Sequence, residues 1–110
     1  MDASIIEKIE KIVGKEGYST RIADRYTYGF DASIFHSTPD IVIQPKSTEE
    51  VSEIMKIANE NLIPIVPRGA GTGLCGSAVP IKGGIVLDMS KMNKVIDVSV
   101  GDLWVDVQAG

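Results

Sequence analysis

A glycine-rich segment in the middle of the chain carries the residue types best suited to chemistry. Residues 67–78 read PRGAGTGLCGSA, with four glycines, three residues that are Ala or Ser, and no acid. Glycines at this spacing let the backbone adopt positive φ and leave its N–H groups uncovered. Successive uncovered N–H groups form a concavity that binds anions, phosphate above all. The segment is therefore predicted to be an anion-binding loop.

Two familiar phosphate motifs do not fit this segment. Residues 71–76 match G-x-G-x-x-G, but Pro80 and the paired glycines after it exclude the three-turn helix that a dinucleotide-binding βαβ unit needs. A Walker-type loop fails because Ser77 stands where Lys is required. A flexible turn without a ligand stays as an alternative, although a simple turn needs only one or two glycines.

The length and the charge of the chain indicate one globular domain that does not bind nucleic acid. A chain of 110 residues buries roughly two-thirds of its unfolded surface. The net charge of −4 argues against a nucleic-acid binder. Residues 61–87 nevertheless contain no Asp or Glu and hold Arg68 and Lys82, so the glycine segment lies in a locally non-negative region. Such a region suits an anionic ligand.

Few other residues indicate chemistry. Cys75 is the only cysteine, which excludes an internal disulfide, and no signal peptide or long apolar run is present. These features predict a cytoplasmic protein without a membrane span. His36, the only histidine, has no Cys or carboxylate at a metal-ligand spacing and is predicted to lie in a surface loop. No nucleophile–base pair is present, so we predict neither a catalytic residue nor a metal site.

The first half of the chain predicts a helix and then a βαβ unit. Residues 1–14 form a helix with Ser4 as N-cap, and residues 15–39 hold a short helix over 20–26 or a packed loop. Residues 41–43 and 63–66 are predicted parallel strands, joined by a helix that Ser47 caps.

The second half predicts short, mostly antiparallel strands over residues 84–88, 94–98 and 103–108, with a turn at 100–102. The fold class is therefore α/β (α+β), with a βαβ unit followed by these strands. The last strand lacks a neighbour, and such an edge favours a homodimer.

Four stretches resemble one flavoprotein family. They are YGFDAS (28–33), PKSTEEV (45–51), IVPRGAGTGL (65–74) and VDVQAG (105–110). Together they resemble the N-terminal half of the PCMH-type FAD-binding domain of FAD-linked oxidases, the vanillyl-alcohol oxidase and p-cresol methylhydroxylase type. Within that family, the chain looks closest to the flavin-binding glycolate oxidase subunit and its D-lactate dehydrogenase relatives.

The resemblance implies that the loop holds the FAD pyrophosphate through backbone N–H groups. Members with covalent flavin often carry a histidine about where Thr72 stands, so FAD is expected to bind non-covalently. Gly76 and Ser77 would close the far side of the loop. The cofactor-binding residues implied are Pro67, Arg68, Gly69, Ala70, Gly71, Thr72, Gly73, Gly76 and Ser77.

The resemblance also implies that residues 1–110 are a partial FAD-binding domain. The parent flavoprotein would oxidise a 2-hydroxy acid such as glycolate or D-lactate, with hydride passing to the flavin. The remainder of that flavoprotein, or a partner subunit such as an iron–sulfur protein, would supply the substrate groups, so this chain alone is expected to be inactive. A non-enzymatic nucleotide-binding or interaction module, and a flavin subunit of another oxidoreductase, stay as alternatives.

Overall fold

The computed structural model describes residues 1–110 as a mixed sheet with two longer helices on one face, followed by a separate hairpin. The helices are α1 (Ala3–Val13), α2 (Ile22–Thr27) and α3 (Thr48–Glu60). The strands are β1 (Tyr18–Ser19), β2 (Ile41–Ile43), β3 (Ile65–Arg68), β4 (Ile85–Asp88), β5 (Val95–Ser99) and β6 (Trp104–Val107).

The start of α1 differs from the prediction. Asp2 is the N-cap, and its carboxylate accepts a hydrogen bond from the Ser4 N–H at 3.1 Å. The predicted cap at Ser4 is therefore wrong by two residues, because the aspartate placed earlier caps equally well and extends the helix. Gly14 ends the helix as predicted, with φ of +76°.

The capping of α3 is confirmed. The Ser47 hydroxyl accepts a hydrogen bond from the Glu50 N–H at 3.2 Å. The Glu50 carboxylate in turn accepts from the Lys46 N–H at 2.7 Å. The first of these bonds satisfies a donor that the first turn of a helix otherwise leaves free, and the second ties the residue before the N-cap to that turn.

The sheet has the strand order β1-β2-β4-β3, with β1 antiparallel and the other three strands parallel. The predicted crossover from β2 through α3 to β3 joins parallel strands, but β4 lies between them and pairs with both. β3 begins at Ile65 rather than at the predicted Ile63, because Leu62 adopts a φ of +53° and the Ile63 N–H still bonds to the Ala58 carbonyl. Only β5 and β6 form the expected antiparallel pair.

One core fixes the sheet against the helices. α1 contributes Ile9 and α3 contributes Ile54, and both side chains are fully buried. The hairpin of β5 and β6 contributes no buried residue. The core residues are Ile9, Ile41, Ile43, Ile54, Ala58, Ile85, Leu87, Met89 and Met92.

Candidate nucleotide-binding site

The glycine loop begins at the carboxyl edge of the parallel strands. β3 ends at Arg68, whose register partner is Asp88 at the end of β4. Gln44 follows the neighbouring β2. Ligands of open α/β sheets bind outside this edge, since the loops that leave the strands meet there. The loop over residues 69–78 is thus positioned by two adjacent strand ends.

The first half of the loop presents open backbone. A Cβ at Gly69 would meet no atom within 4 Å, and one at Gly73 would meet only the Ser77 hydroxyl at 3.6 Å. No backbone N–H from residues 70–78 donates to a backbone carbonyl. Gly71 has a φ of +68°, which other residues adopt only with strain. This backbone has the free donors and the open approach that an anion needs.

Arg68 supplies the nearest positive charge. Its guanidinium Nη1 donates to the Phe30 carbonyl, and its Cζ lies 5.4 Å from the centre of the Tyr28 ring. A Cβ on Gly71 would overlap this guanidinium. The Arg68 side chain therefore lies across the inner side of the loop and links it to residues 28–30.

In the second half of the loop, Gly76 and Ala78 face the protein. Gly76 is buried with a φ of +77°, and a Cβ there would lie 3.1 Å from the Phe35 ring. The structure thus brings residues 67–73 together on an open side, whereas Gly76 packs inward. The exposed predicted site residues are Pro67, Gly69, Ala70, Thr72, Gly73 and Ser77.

A partly buried polar cluster, centred on the buried Asp88, lies beneath the first half of the loop. Asp88 Oδ2 accepts hydrogen bonds from the Tyr28 hydroxyl at 2.7 Å and from Gln44 Nε2 at 2.6 Å. Burial disfavours the Asp88 carboxylate, but the bonds from Gln44, Tyr28 and Ser90 outweigh it and lower its pKa below the usual value. Burial, together with the Asp88 carboxylate, raises the pKa of Tyr28 to about 12.

The cluster opens into a cleft beside the loop, a feature the sequence analysis did not predict. The cleft has a volume of about 370 Å³. The position of Asp88 and Gln44 at adjacent parallel strand ends was the signal available for it. The lining residues are Thr27, Tyr28, Arg68, Gly69, Ala70, Asp88 and Ser90.

His36 is exposed, as predicted, and stacks on aromatic side chains. Its ring centre lies 4.1 Å from that of Phe30 and 4.9 Å from that of Tyr26. No group of three or more His, Cys, Asp or Glu side chains is arranged to hold a metal ion. None of the helices has the length and apolar character needed to cross a membrane.

Comparison with known proteins identifies the family. A family model described as an FAD binding domain matches residues 39–110, which include α3, the glycine loop and the hairpin. The chain belongs to the FAD binding domain family. FAD is the cofactor of this FAD-binding domain, and the resemblance inferred from the sequence is confirmed.

Relatives of this FAD-binding domain are longer proteins. Glycolate oxidase subunit GlcD of Bacillus subtilis is 40% identical over 105 residues, 94% of this chain and 22% of that protein. D-lactate dehydrogenase of Anaerostipes hadrus is 36% identical over 107 residues, 96% of this chain and 22% of that protein. The chain thus spans about a fifth of the length of these relatives.

The fold is also shared with the solved structures of longer enzymes. Substrate-bound p-cresol methylhydroxylase superposes with a TM-score of 0.77 at 26% identity, over 87% of this chain and 20% of that chain. The predicted fold class is therefore confirmed. The open backbone at Gly69 and Gly73, near the Arg68 cation, has the uncovered N–H donors and the positive charge that a phosphate group requires.

Proposed function

We propose that this FAD-binding domain holds the diphosphate of FAD on the backbone N–H groups of residues 69–73. The observation that carries the proposal is the open approach at Gly69 and Gly73, next to N–H groups without backbone acceptors. Phosphate oxygens accept such bonds strongly because they are charged. The Arg68 guanidinium adds a cation at the inner side of the same backbone.

The remaining loop residues complete this proposal. Pro67 and Arg68 lead β3 into the loop, and Ala70 is small enough to leave the neighbouring backbone accessible. Thr72 is exposed and cannot form the covalent flavin link that a histidine forms, so FAD is held non-covalently. Gly76 and Ser77 bound the loop on its far side without taking the diphosphate.

We propose further that the whole flavoprotein oxidises a 2-hydroxy acid such as glycolate or D-lactate. This substrate class is supported by two relatives, one a glycolate oxidase subunit and the other a D-lactate dehydrogenase. FAD, when bound, supplies the acceptor for the hydride of the substrate carbon. The residues of this chain bind and orient the cofactor, and acid–base groups for the substrate would come from elsewhere in the flavoprotein. Residues 1–110 alone should therefore not turn over glycolate or D-lactate with added FAD and a dye acceptor, relative to a boiled control.

The hairpin of β5 and β6 is the proposed contact with the remainder of a longer flavoprotein. Val95, Ile96 and Val98 of β5 are each more than half exposed. Trp104, Val105 and Val107 of β6 are about half exposed, so neither strand is covered. Exposed apolar patches of this kind mark interaction surfaces. The relatives are longer than this chain, which favours a covering segment from the same flavoprotein rather than a second copy of this chain.

Two further properties, a compartment and an electron partner, belong to the same proposal. The single cysteine is compatible with a reducing compartment, which favours a cytoplasmic location. An iron–sulfur protein as electron partner follows from the family resemblance alone. Copurification of the full flavoprotein with an iron-containing protein, read by iron analysis, tests the second property.

The loop proposal is tested with Gly69→Val and the matched control Gly101→Val, since a Cβ meets no atom within 4 Å at either glycine. Both variants should fold like wild type by circular dichroism. Gly69→Val should weaken ADP and FAD by at least about tenfold in calorimetry, because the methyl groups stand at the open backbone. Gly101→Val should bind like wild type, and AMP should bind wild type more weakly than ADP. Equal ADP affinity in both variants would contradict the proposed site.

A further inference from the structure

The guanidinium of Arg68 has no carboxylate partner in the chain. The three ion pairs of the structure all join other residues. The one hydrogen bond that the guanidinium makes runs from Nη1 to the Phe30 carbonyl, so the N–H donors on Nε and Nη2 have no protein acceptor. A guanidinium in this condition keeps both its charge and free donors for an anionic ligand.

An acid stands next to this cation in the sheet but does not pair with it. Asp88 is the register partner of Arg68 on the adjacent parallel strand, and both residues line the cleft beside the loop. Neighbouring strands lie about 4.8 Å apart, which is close enough for an ion pair. Other donors occupy both oxygens of the carboxylate instead. Oδ2 accepts from the Tyr28 hydroxyl and from Gln44 Nε2, and Oδ1 accepts from the Ser90 N–H at 3.0 Å.

Tyr28 is the residue that contacts both charges. Its hydroxyl donates to Asp88 at 2.7 Å, and its ring centre lies 5.4 Å from Arg68 Cζ. A cation at this distance over an aromatic ring is attracted to the negative face of the ring. The guanidinium also lies against Gly71, which has no Cβ to displace it. The ring, the Phe30 carbonyl and Gly71 thus hold the guanidinium at three places.

We propose that Tyr28 is a positioning residue, whose ring fixes the Arg68 guanidinium at the glycine loop while its hydroxyl retains the Asp88 carboxylate. The guanidinium is then in place before a ligand arrives. A phosphate on residues 69–73 gains its charge without the cost of ordering a long side chain. The effect on phosphate affinity rests on the proposed function, whereas the contact between the ring and the guanidinium does not.

Calorimetry with ADP tests the role of the ring. Tyr28→Leu removes the ring and should weaken ADP by about fivefold, and Tyr28→Phe, which keeps the ring, should recover most of that affinity. Tyr18→Leu is the matched control, because the Tyr18 hydroxyl also donates to a carboxylate, Glu10 Oε2 at 2.6 Å, but no cation lies over its ring. This control should bind ADP like wild type. Equal ADP affinity in Tyr28→Leu and Tyr18→Leu would overturn the inference.

A double-variant cycle tests whether Tyr28 acts through Arg68. Arg68→Met removes the charge and should weaken ADP by at least about tenfold. In the Arg68→Met background, Tyr28→Leu should change the affinity by less than about twofold, since the ring has no guanidinium left to hold. The same loss in both backgrounds would show that Tyr28 does not act through Arg68. If Tyr28→Leu does not fold, Tyr28→Met takes its place in both comparisons, because its flexible side chain fills the site without a ring.

A measurement without ligand separates this inference from the proposed function. The ring current of Tyr28 should move the δ-proton NMR signals of Arg68 upfield in wild type and in Tyr28→Phe. Signals at the unfolded-chain position in wild type would overturn the inference. Shifted signals in a protein that binds no ADP would retain the contact and reject the proposed diphosphate site. ADP binding with wild-type affinity in Tyr28→Leu would retain that site and reject the role of Tyr28.

Discussion

The hydroxyl of Tyr28 donates a 2.7 Å hydrogen bond to Oδ2 of Asp88, although 60 positions separate them in the chain. Asp88 ends the central strand β4 and is 3% exposed. The face of the same tyrosine ring lies 5.4 Å from Arg68 Cζ. Tyr28 thus links the buried end of β4 to Arg68, the last residue of β3 before the glycine loop.

Removal of this hydroxyl should destabilise the domain. Tyr28→Phe removes the hydroxyl that donates a hydrogen bond to the buried Asp88 carboxylate. This change should lower the free energy of unfolding by about 1–3 kcal/mol. Tyr26→Phe is the control, since the Tyr26 hydroxyl makes no hydrogen bond and the residue is 52% exposed. Urea denaturation measures both variants, and equal stability of the two would show that the Tyr28 bond contributes nothing.

The same bond should make the stability difference between wild type and Tyr28→Phe depend on alkaline pH. The pKa of Tyr28 rises from 10.0 in the unfolded chain to about 12 in the fold, because of burial and the nearby Asp88 carboxylate. A raised folded-state pKa contributes stability that is fully present below the unfolded value and is lost as pH rises through the folded one. The advantage of wild type should therefore be constant up to about pH 10 and shrink towards pH 12. Urea titrations at several pH values measure it, and a difference that stays constant over that range would refute the assignment.

Gly71→Val should damage both the loop and the ligand site. A β-branched residue at a φ of +68° is strained by about 1–2 kcal/mol, and its Cβ would displace the Arg68 guanidinium from Phe30. We expect lower thermal stability and no measurable ADP binding. Gly101→Val is the matched comparison, because a Cβ there would meet no atom within 4 Å and the residue lies outside the loop. Calorimetry with ADP separates the two, and wild-type affinity in Gly71→Val would place the ligand elsewhere.

Flavin should leave the full flavoprotein when that protein is denatured. Thr72 offers a hydroxyl but no imidazole, so it cannot form the covalent link to the flavin ring that a histidine forms at this position. Acid precipitation should release all yellow colour into the supernatant, and the pellet should show no flavin fluorescence. Thr72→Ala should weaken FAD by no more than one hydrogen bond, about 0.5–1.5 kcal/mol. Fluorescent flavin retained in a denaturing gel would contradict the prediction.

The uncovered hairpin should make residues 1–110 self-associate in isolation. β6 is paired on one edge only, by β5, and Val105 on it is 55% exposed. Sedimentation at micromolar concentration should show species larger than the 11.8 kDa monomer. Val105→Lys should shift the population to monomer, whereas Ser52→Lys, which adds the same charge on exposed α3, should not. A clean wild-type monomer would count against association through the hairpin.

Local sequence signals predicted most of the elements but not their order in the sheet. Hydrophobic period and the Ser47 cap located β2 and α3, because both depend on neighbours a few residues away. The insertion of β4 between β2 and β3 depends on contacts between distant segments, which no short window of sequence contains. The early cap at Asp2 was missed because two good capping residues stand close together.

The candidate site was predicted through its backbone and missed in its side chains. Glycine spacing indicates free N–H groups directly, so residues 69–73 could be found from composition. Asp88 reaches the loop only through the folding of the chain, as the register partner of Arg68 at the strand ends. Its part in shaping the site therefore could not be inferred from spacing.

The division between a four-stranded sheet and a hairpin without core residues has a consequence for hydrogen exchange. An amide exchanges with solvent through the opening of lowest free energy, and an isolated two-stranded hairpin opens more readily than a central strand. Amides of β5 and β6 should exchange with deuterium through local opening, whereas amides of β4 should exchange only through global unfolding. The sheet and the hairpin of one short chain would then have two different hydrogen-exchange rates until another surface covers the hairpin.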